Sequence, residues 1–119
     1  MKINFEAIEV QYNEAIEGEI VQVVFDEDSS EDPFNRTKRY VMISQSYEFP
    51  SKPTLEWHDG EDYHGGSEVL SYKLDNDILE LETTDSLSFR INHSCPKDIL
   101  DKIRKFFQRE FSNKWHKKA

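Results

Sequence analysis

Hydrophobic and polar residues alternate along most of the first three-quarters of the chain, and this period of two is typical of β-strands. Near the start, Ile3, Phe5 and Ala7 alternate with polar residues. The pattern predicts about seven strands, and those after the first lie at 19–25, 38–46, 54–58, 67–74, 78–83 and 86–91. Both faces of 38–46 carry apolar residues, which is typical of a strand covered on both sides.

Two short links favour antiparallel pairing in the second half of this region. Asp75-Asn76-Asp77 joins strands 67–74 and 78–83, so these two strands are predicted to form a hairpin. Thr84-Asp85 continues the chain as a meander into 86–91. We therefore expect one antiparallel sheet of about six or seven strands over residues 2–91.

The apolar period becomes helical after Pro96. One stripe is formed by Ile99, Leu100, Ile103, Phe106, Phe107 and Phe111. The stripe predicts an amphipathic helix over about 96–113, with Ser94 or Cys95 as its cap and Pro96 in its first turn. Residues 114–119 are expected to fray.

These elements predict an α+β fold in which the C-terminal helix packs on the sheet. The helix stripe is expected to be buried against some or all of six residues, namely Leu70, Tyr72, Leu79, Leu81, Phe89 and Ile91. A length of 119 residues, with 36% hydrophobic and 13% aromatic residues, is sufficient for one core. We therefore expect a single domain over residues 1–119.

The N-terminus MKINFEAIEV lacks the apolar stretch of a secretion signal, and no apolar run is long enough to span a bilayer. The single cysteine, Cys95, cannot close an internal disulfide, which agrees with a reducing compartment. The sequence thus predicts a cytosolic protein without a membrane partner.

Charge is distributed very unevenly along the chain, whose formal net charge is −9. Residues 1–93 carry 21 acidic and 7 basic side chains, whereas residues 94–119 carry 3 acidic and 8 basic side chains. Such a charge distribution repels nucleic acid and attracts basic proteins. We interpret the basic helix face as solvated surface that balances an acidic sheet, and we expect no nucleic-acid partner.

The segment EWHDGEDYHGG at 56–66 contains the residue types of a metal site. A small metal-dependent enzyme that uses His58, Asp59, Asp62 and His64 is therefore one alternative. The segment lacks HExxH and a Ca²⁺-loop pattern, so we favour a polar loop between two strands. In that loop, Gly60 and Gly65-Gly66 would supply turns with positive φ.

Cys95 at the start of the predicted helix, with His93 two residues before it, is the candidate nucleophile. A small side chain is also common there for structural reasons. The chain has no G-x-S-x-G motif, and its four glycines form no phosphate-binding loop. We therefore predict neither enzyme activity nor a metal or other cofactor.

Two acidic segments with nearby aromatic residues suit a protein interface, since aromatics supply buried contact area and charge supplies steering. Trp57 and Tyr63 are equally compatible with a place in the core. The residues expected to bind a partner are Asp26, Glu27, Asp28, Glu31, Asp32, Phe34, Glu56, Trp57, Asp59, Glu61, Asp62 and Tyr63.

The strand YVMISQS at 40–46, the segment DYHGGSEVLSYKLDNDILELET at 62–83 and the C-terminal helix together resemble the small acidic immunity proteins of bacterial polymorphic and contact-dependent growth-inhibition toxins. Ser44 and Ser67 replace apolar residues of that pattern. The resemblance, over residues 40–110, implies a cytosolic inhibitor that binds one cognate toxin domain, often a nuclease. A generic acidic regulatory or scaffold protein is the other alternative.

Overall fold

The computed structural model describes residues 2–27, 39–47 and 52–111, and these residues form an α+β fold. Their elements are β1 (Lys2–Ala7), β2 (Glu9–Ala15), β3 (Ile20–Asp26), β4 (Arg39–Ser46), β5 (Thr54–Asp59), β6 (Tyr63–Ser67), β7 (Val69–Leu74), β8 (Ile78–Thr83), β9 (Ser88–His93) and α1 (Lys97–Phe111).

The strands form two sheets, not the single sheet predicted. One sheet has the order β1-β9-β8-β7 and the other the order β2-β3-β4-β5-β6. The chain crosses between the sheets at Ile8 and at Glu68, where single residues separate β1 from β2 and β6 from β7. The β7–β8 hairpin and the meander into β9 are confirmed, but β1 pairs with β9 in parallel. The expectation of a purely antiparallel sheet was therefore wrong.

The two additional strands are those with the weakest hydrophobic pattern. In β2, Val10 is buried, Tyr12 is half-buried and the remaining side chains are polar or small. In β6, two of the five residues are glycines. Both strands lie at the edges of the five-stranded sheet, where only one neighbour is paired and little side-chain surface has to be buried.

One hydrophobic cluster combines buried hydrophobic residues from both sheets and from the helix. As predicted, Ile103, Phe106 and Phe107 are buried, and Ile99 packs against the cluster. The Phe107 ring meets the Tyr72 ring edge-to-face at 5.0 Å, and the Phe106 ring meets that of Tyr12 at 6.5 Å. Strand β2, which the sequence pattern did not predict, thus forms part of the surface on which the helix packs.

Leu70 was expected against the helix but is 50% exposed. The register between β7 and β8 shifts between Val69 and Ser71, so alternation along β7 is interrupted. Val69 and Tyr72 are buried as a result, and Leu70 faces outwards. A bulge of this kind leaves no trace in the sequence of hydrophobic and polar residues along β7. The alternating pattern therefore placed Leu70 on the wrong face.

The helix starts one residue later than predicted. The Leu100 amide donates to the Pro96 carbonyl at 2.9 Å, so Pro96 occupies the cap position that was assigned to Ser94 or Cys95. At the other end, Arg109 Nη2 donates to the Tyr47 hydroxyl at 2.9 Å, and Gln45 Nε2 donates to the Glu110 carboxylate at 3.1 Å. These bonds attach the last described turn to β4. The predicted frayed tail lies outside the described residues.

Candidate partner-binding surface

The five-stranded sheet carries most of the net negative charge of the described residues. We define the acidic sheet as residues 9–27, 39–47 and 54–67. Its only basic side chain of the Lys or Arg type among these described residues is Arg39. Its acidic residues are Glu9, Glu14, Glu17, Glu19, Asp26, Glu27, Glu56, Asp59, Glu61 and Asp62. The uneven distribution of charge along the sequence thus appears in the fold as a net negative charge on the acidic sheet.

The β5–β6 hairpin occupies the segment that was predicted to be a polar loop, and its turn is organised by Asp59. The Asp59 carboxylate accepts the Glu61 and Asp62 amides, both at 2.7 Å, and the His64 Nε2 at 3.0 Å. The Asp62 amide, His64 and the Glu61 amide hold the pKa of Asp59 well below its usual range. Asp59 therefore fixes the turn, whereas Glu61 and Asp62 are exposed.

Trp57 was predicted as a partner anchor, and the structure corrects this prediction. Its side chain is 3% exposed. The Trp57 ring stacks on the His64 ring with centroids 4.2 Å apart and meets Phe89 of the other sheet edge-to-face at 5.4 Å. Trp57 lies on the inward face of β5 together with Leu55, so it belongs to the core.

The first acidic segment also differs from its prediction. Asp26 ends β3 and is 6% exposed, which removes it from the accessible surface. Glu27 forms a bidentate contact with Arg39, at 2.7 Å to Nη2 and 3.1 Å to Nε, and this contact largely neutralises its charge. The remaining predicted residues of this segment, Asp28, Glu31, Asp32 and Phe34, lie outside the described residues.

The outer face of the acidic sheet carries an aromatic row across three strands. The register pairs Tyr40 with His58 and His58 with Tyr63. The rings of Tyr40 and His58 stack with centroids 5.8 Å apart, and Tyr63 is 55% exposed. Of the predicted anchors that the structure describes, Tyr63 is thus accessible and Trp57 is not.

The hairpin register separates the residues of the metal-enzyme alternative. His58 pairs with Tyr63 and Trp57 pairs with His64, so His58 and His64 lie on opposite faces. His58 Nδ1 accepts the Gly60 amide at 3.0 Å, and His64 is held by Asp59. Within the described part of the chain, no three His, Cys, Asp or Glu side chains are grouped to hold a metal ion.

The geometry at Cys95 does not favour a nucleophile. Burial, assisted by Asp98, raises the pKa of the Cys95 thiol to about 11, so the thiol stays protonated at neutral pH. His93 is buried, and its Nδ1 accepts the Cys95 backbone amide at 3.2 Å. The imidazole therefore supports the backbone before the helix and does not contact the thiol through this nitrogen.

We expect the stability of the protein to fall as the pH falls below about 6.5. Burial lowers the pKa of His93 from 6.5, so the unfolded chain takes up a proton more readily than the folded chain. The stabilisation that neutral His93 gives the folded chain is therefore present above pH 6.5, and it is lost as the pH falls through the folded-state pKa of His93. Urea unfolding at pH 7.5 and 5.5 measures the free energy of unfolding at each pH. Between these two pH values His93→Gln should lose less of this free energy than the wild type does. An equal loss of unfolding free energy in both proteins would contradict the role of His93 in the pH dependence of stability. His58→Gln serves as the control variant.

Two features of this surface were not predicted from the sequence. Ile16, at the tip of the β2–β3 turn, is 63% exposed and has a φ of 53°. A β-branched residue rarely adopts this conformation, so nothing in the local sequence indicated it. The second feature is the alignment of Tyr40 with His58 and Tyr63, because it depends on the pairing of strands distant in sequence.

The chain matches no protein-family model and no curated protein. In the described ranges, no helix has the length and apolar character needed to cross a membrane. A functional assignment therefore depends on the charge, exposure and geometry of the acidic sheet.

Proposed function

We propose that this protein is an immunity protein that binds one cognate, basic toxin domain and neutralises it in the cytosol. The observation that carries the proposal is the acidic sheet, whose described residues include ten acidic side chains and a single Lys or Arg side chain, Arg39. Eight of the ten acids are neither buried, as Asp26 is, nor paired with Arg39, as Glu27 is. The resemblance of residues 40–110 to immunity proteins supports the same function.

The charge distribution suits inhibition by binding alone. A surface of one sign attracts a basic partner over a distance of about one Debye length, close to 8 Å at physiological ionic strength. Once the two proteins touch, complementary carboxylates fix the orientation and exposed aromatic and apolar groups supply contact area. Glu61, Asp62, Tyr63 and Ile16 are accessible for these roles. Such an inhibitor covers the toxin's basic active-site surface or an adjacent surface, and no chemical step is needed.

The proposal can be tested with the protein encoded by the neighbouring reading frame. Expression of its C-terminal domain should arrest growth, and coexpression of the present protein should restore growth. Size-exclusion chromatography with light scattering should then show a complex of one chain of each protein. A catalytically inactive toxin variant controls for toxicity in the binding experiment. Restored growth without a complex, or a complex without restored growth, would contradict the proposal.

A further inference from the structure

The hydroxyl end of the Tyr63 ring lies on Gly65 of its own strand. A Cβ atom added to Gly65 would be 2.8 Å from the Tyr63 hydroxyl oxygen and 3.3 Å from Cζ. The ring therefore lies along the outer surface of β6 and does not project away from it. More than half of the side chain nevertheless remains exposed, at 55%.

A register irregularity in the hairpin brings Glu56 to the same place. Leu55 pairs with Ser67 and Trp57 pairs with His64, so Glu56 alone faces both Gly65 and Gly66. Gly66 has a φ of 84°, which a glycine adopts readily. The Glu56 carboxylate, which lies opposite these glycines, raises the pKa of the nearby Tyr63 hydroxyl. Tyr63 is thus positioned by Gly65 beneath it and by Glu56 beside it.

We propose that Tyr63 and Glu56 form a platform for an arginine side chain of the basic partner, and this inference rests on the proposed function. The partner's guanidinium group would stack on the exposed Tyr63 ring, and its N–H groups would donate to the Glu56 carboxylate. Asp62, which directly precedes Tyr63, and the ring of His58, its cross-strand neighbour, border the platform.

The geometry favours arginine over the other groups of a basic protein surface. A guanidinium is planar and weakly hydrated, so it can stack on a ring while its edge donates to a carboxylate. A lysine ammonium is compact and strongly hydrated, and it cannot make both contacts in one plane. An apolar side chain would leave Glu56 and Asp62 without compensating charge. The platform therefore adds residue specificity to attraction that is otherwise due to net charge.

The inference can be tested with hexa-arginine and hexalysine peptides, by following the amide resonances of the ¹⁵N-labelled protein in NMR titrations. At about 0.01 M salt, charge alone should allow both peptides to bind. We expect hexa-arginine to bind about 2- to 5-fold more tightly than hexalysine. The largest shifts should occur at Tyr63, His64, Gly65 and Gly66.

Two variants test whether the preference for hexa-arginine over hexalysine arises at Tyr63. Tyr63→Ala removes the ring, and Gly65→Ala keeps the ring but displaces its hydroxyl end, the flexible part of an exposed side chain. In both variants the arginine preference should disappear while binding of hexalysine is retained. Leu70→Ala removes a similarly exposed apolar side chain from the other sheet and should leave the preference intact.

The outcomes separate this inference from the proposed function. Equal affinity for the two peptides, or an arginine preference that persists in both variants, overturns the platform but leaves charge-driven docking in place. Failure of both peptides to bind at low salt contradicts the platform and the charge-based function together.

Discussion

Replacement of Phe106 by alanine is expected to lower the free energy of unfolding by about 3–5 kcal/mol, the usual cost of truncating a buried phenylalanine. Phe106 is 1% exposed. Its ring contacts Tyr12 of the five-stranded sheet and Phe107 of the same helix, and the Arg109 guanidinium lies over it at 5.6 Å from the centroid. Alanine would leave a cavity between the helix and β2, an edge strand with few other buried contacts.

Urea denaturation followed by circular dichroism measures this change. Gln108→Ala provides the matched control, because Gln108 is exposed on the same helix and both variants introduce the same good helix former. The control should change the free energy of unfolding by less than about 0.5 kcal/mol. A loss below about 1 kcal/mol for Phe106→Ala would show that the helix is not held by this stripe.

The sequence predicted elements with a strong hydrophobic period and missed those without one. The helix stripe and strands β8 and β9 are confirmed because their burial is regular along the chain. The division into two sheets was not predictable in this way, since the chain changes sheet at single residues, Ile8 and Glu68. Alternation continues on both sides of such a residue, so it does not reveal which strands are neighbours.

The candidate surface was predictable in charge but not in geometry. Glu61, Asp62 and Tyr63 are accessible, because they belong to a hairpin turn and an edge strand. Trp57 and Tyr63 differ by six positions, yet one is core and the other is surface. The difference arises from the register of β5 and β6, in which Trp57 pairs with His64 and His58 pairs with Tyr63, so that Trp57 and Tyr63 lie on opposite faces of the sheet. Composition carries no information about this register.

Reversal of two charges in the β5–β6 turn is expected to slow association with the toxin strongly. Glu61 and Asp62 are exposed, and Asp59 holds the turn through their backbone amides, so both side chains can be replaced without loss of these bonds. Glu61→Lys with Asp62→Lys changes the net charge by +4. At low salt we expect the association rate constant to fall roughly tenfold, within the range typical of electrostatic steering.

The contribution of position, as distinct from net charge, is measured with a second pair of reversals. Asp75→Lys with Asp77→Lys also changes the net charge by +4, and both residues are exposed in the β7–β8 turn of the other sheet. If the acidic sheet faces the toxin, this control pair should reduce the rate much less than the β5–β6 pair does. The difference should shrink as salt shortens the Debye length from about 30 Å at 0.01 M to about 8 Å at 0.15 M. Equal effects of the two pairs at every salt concentration would mean that only total charge matters and that the acidic sheet is not the docking surface.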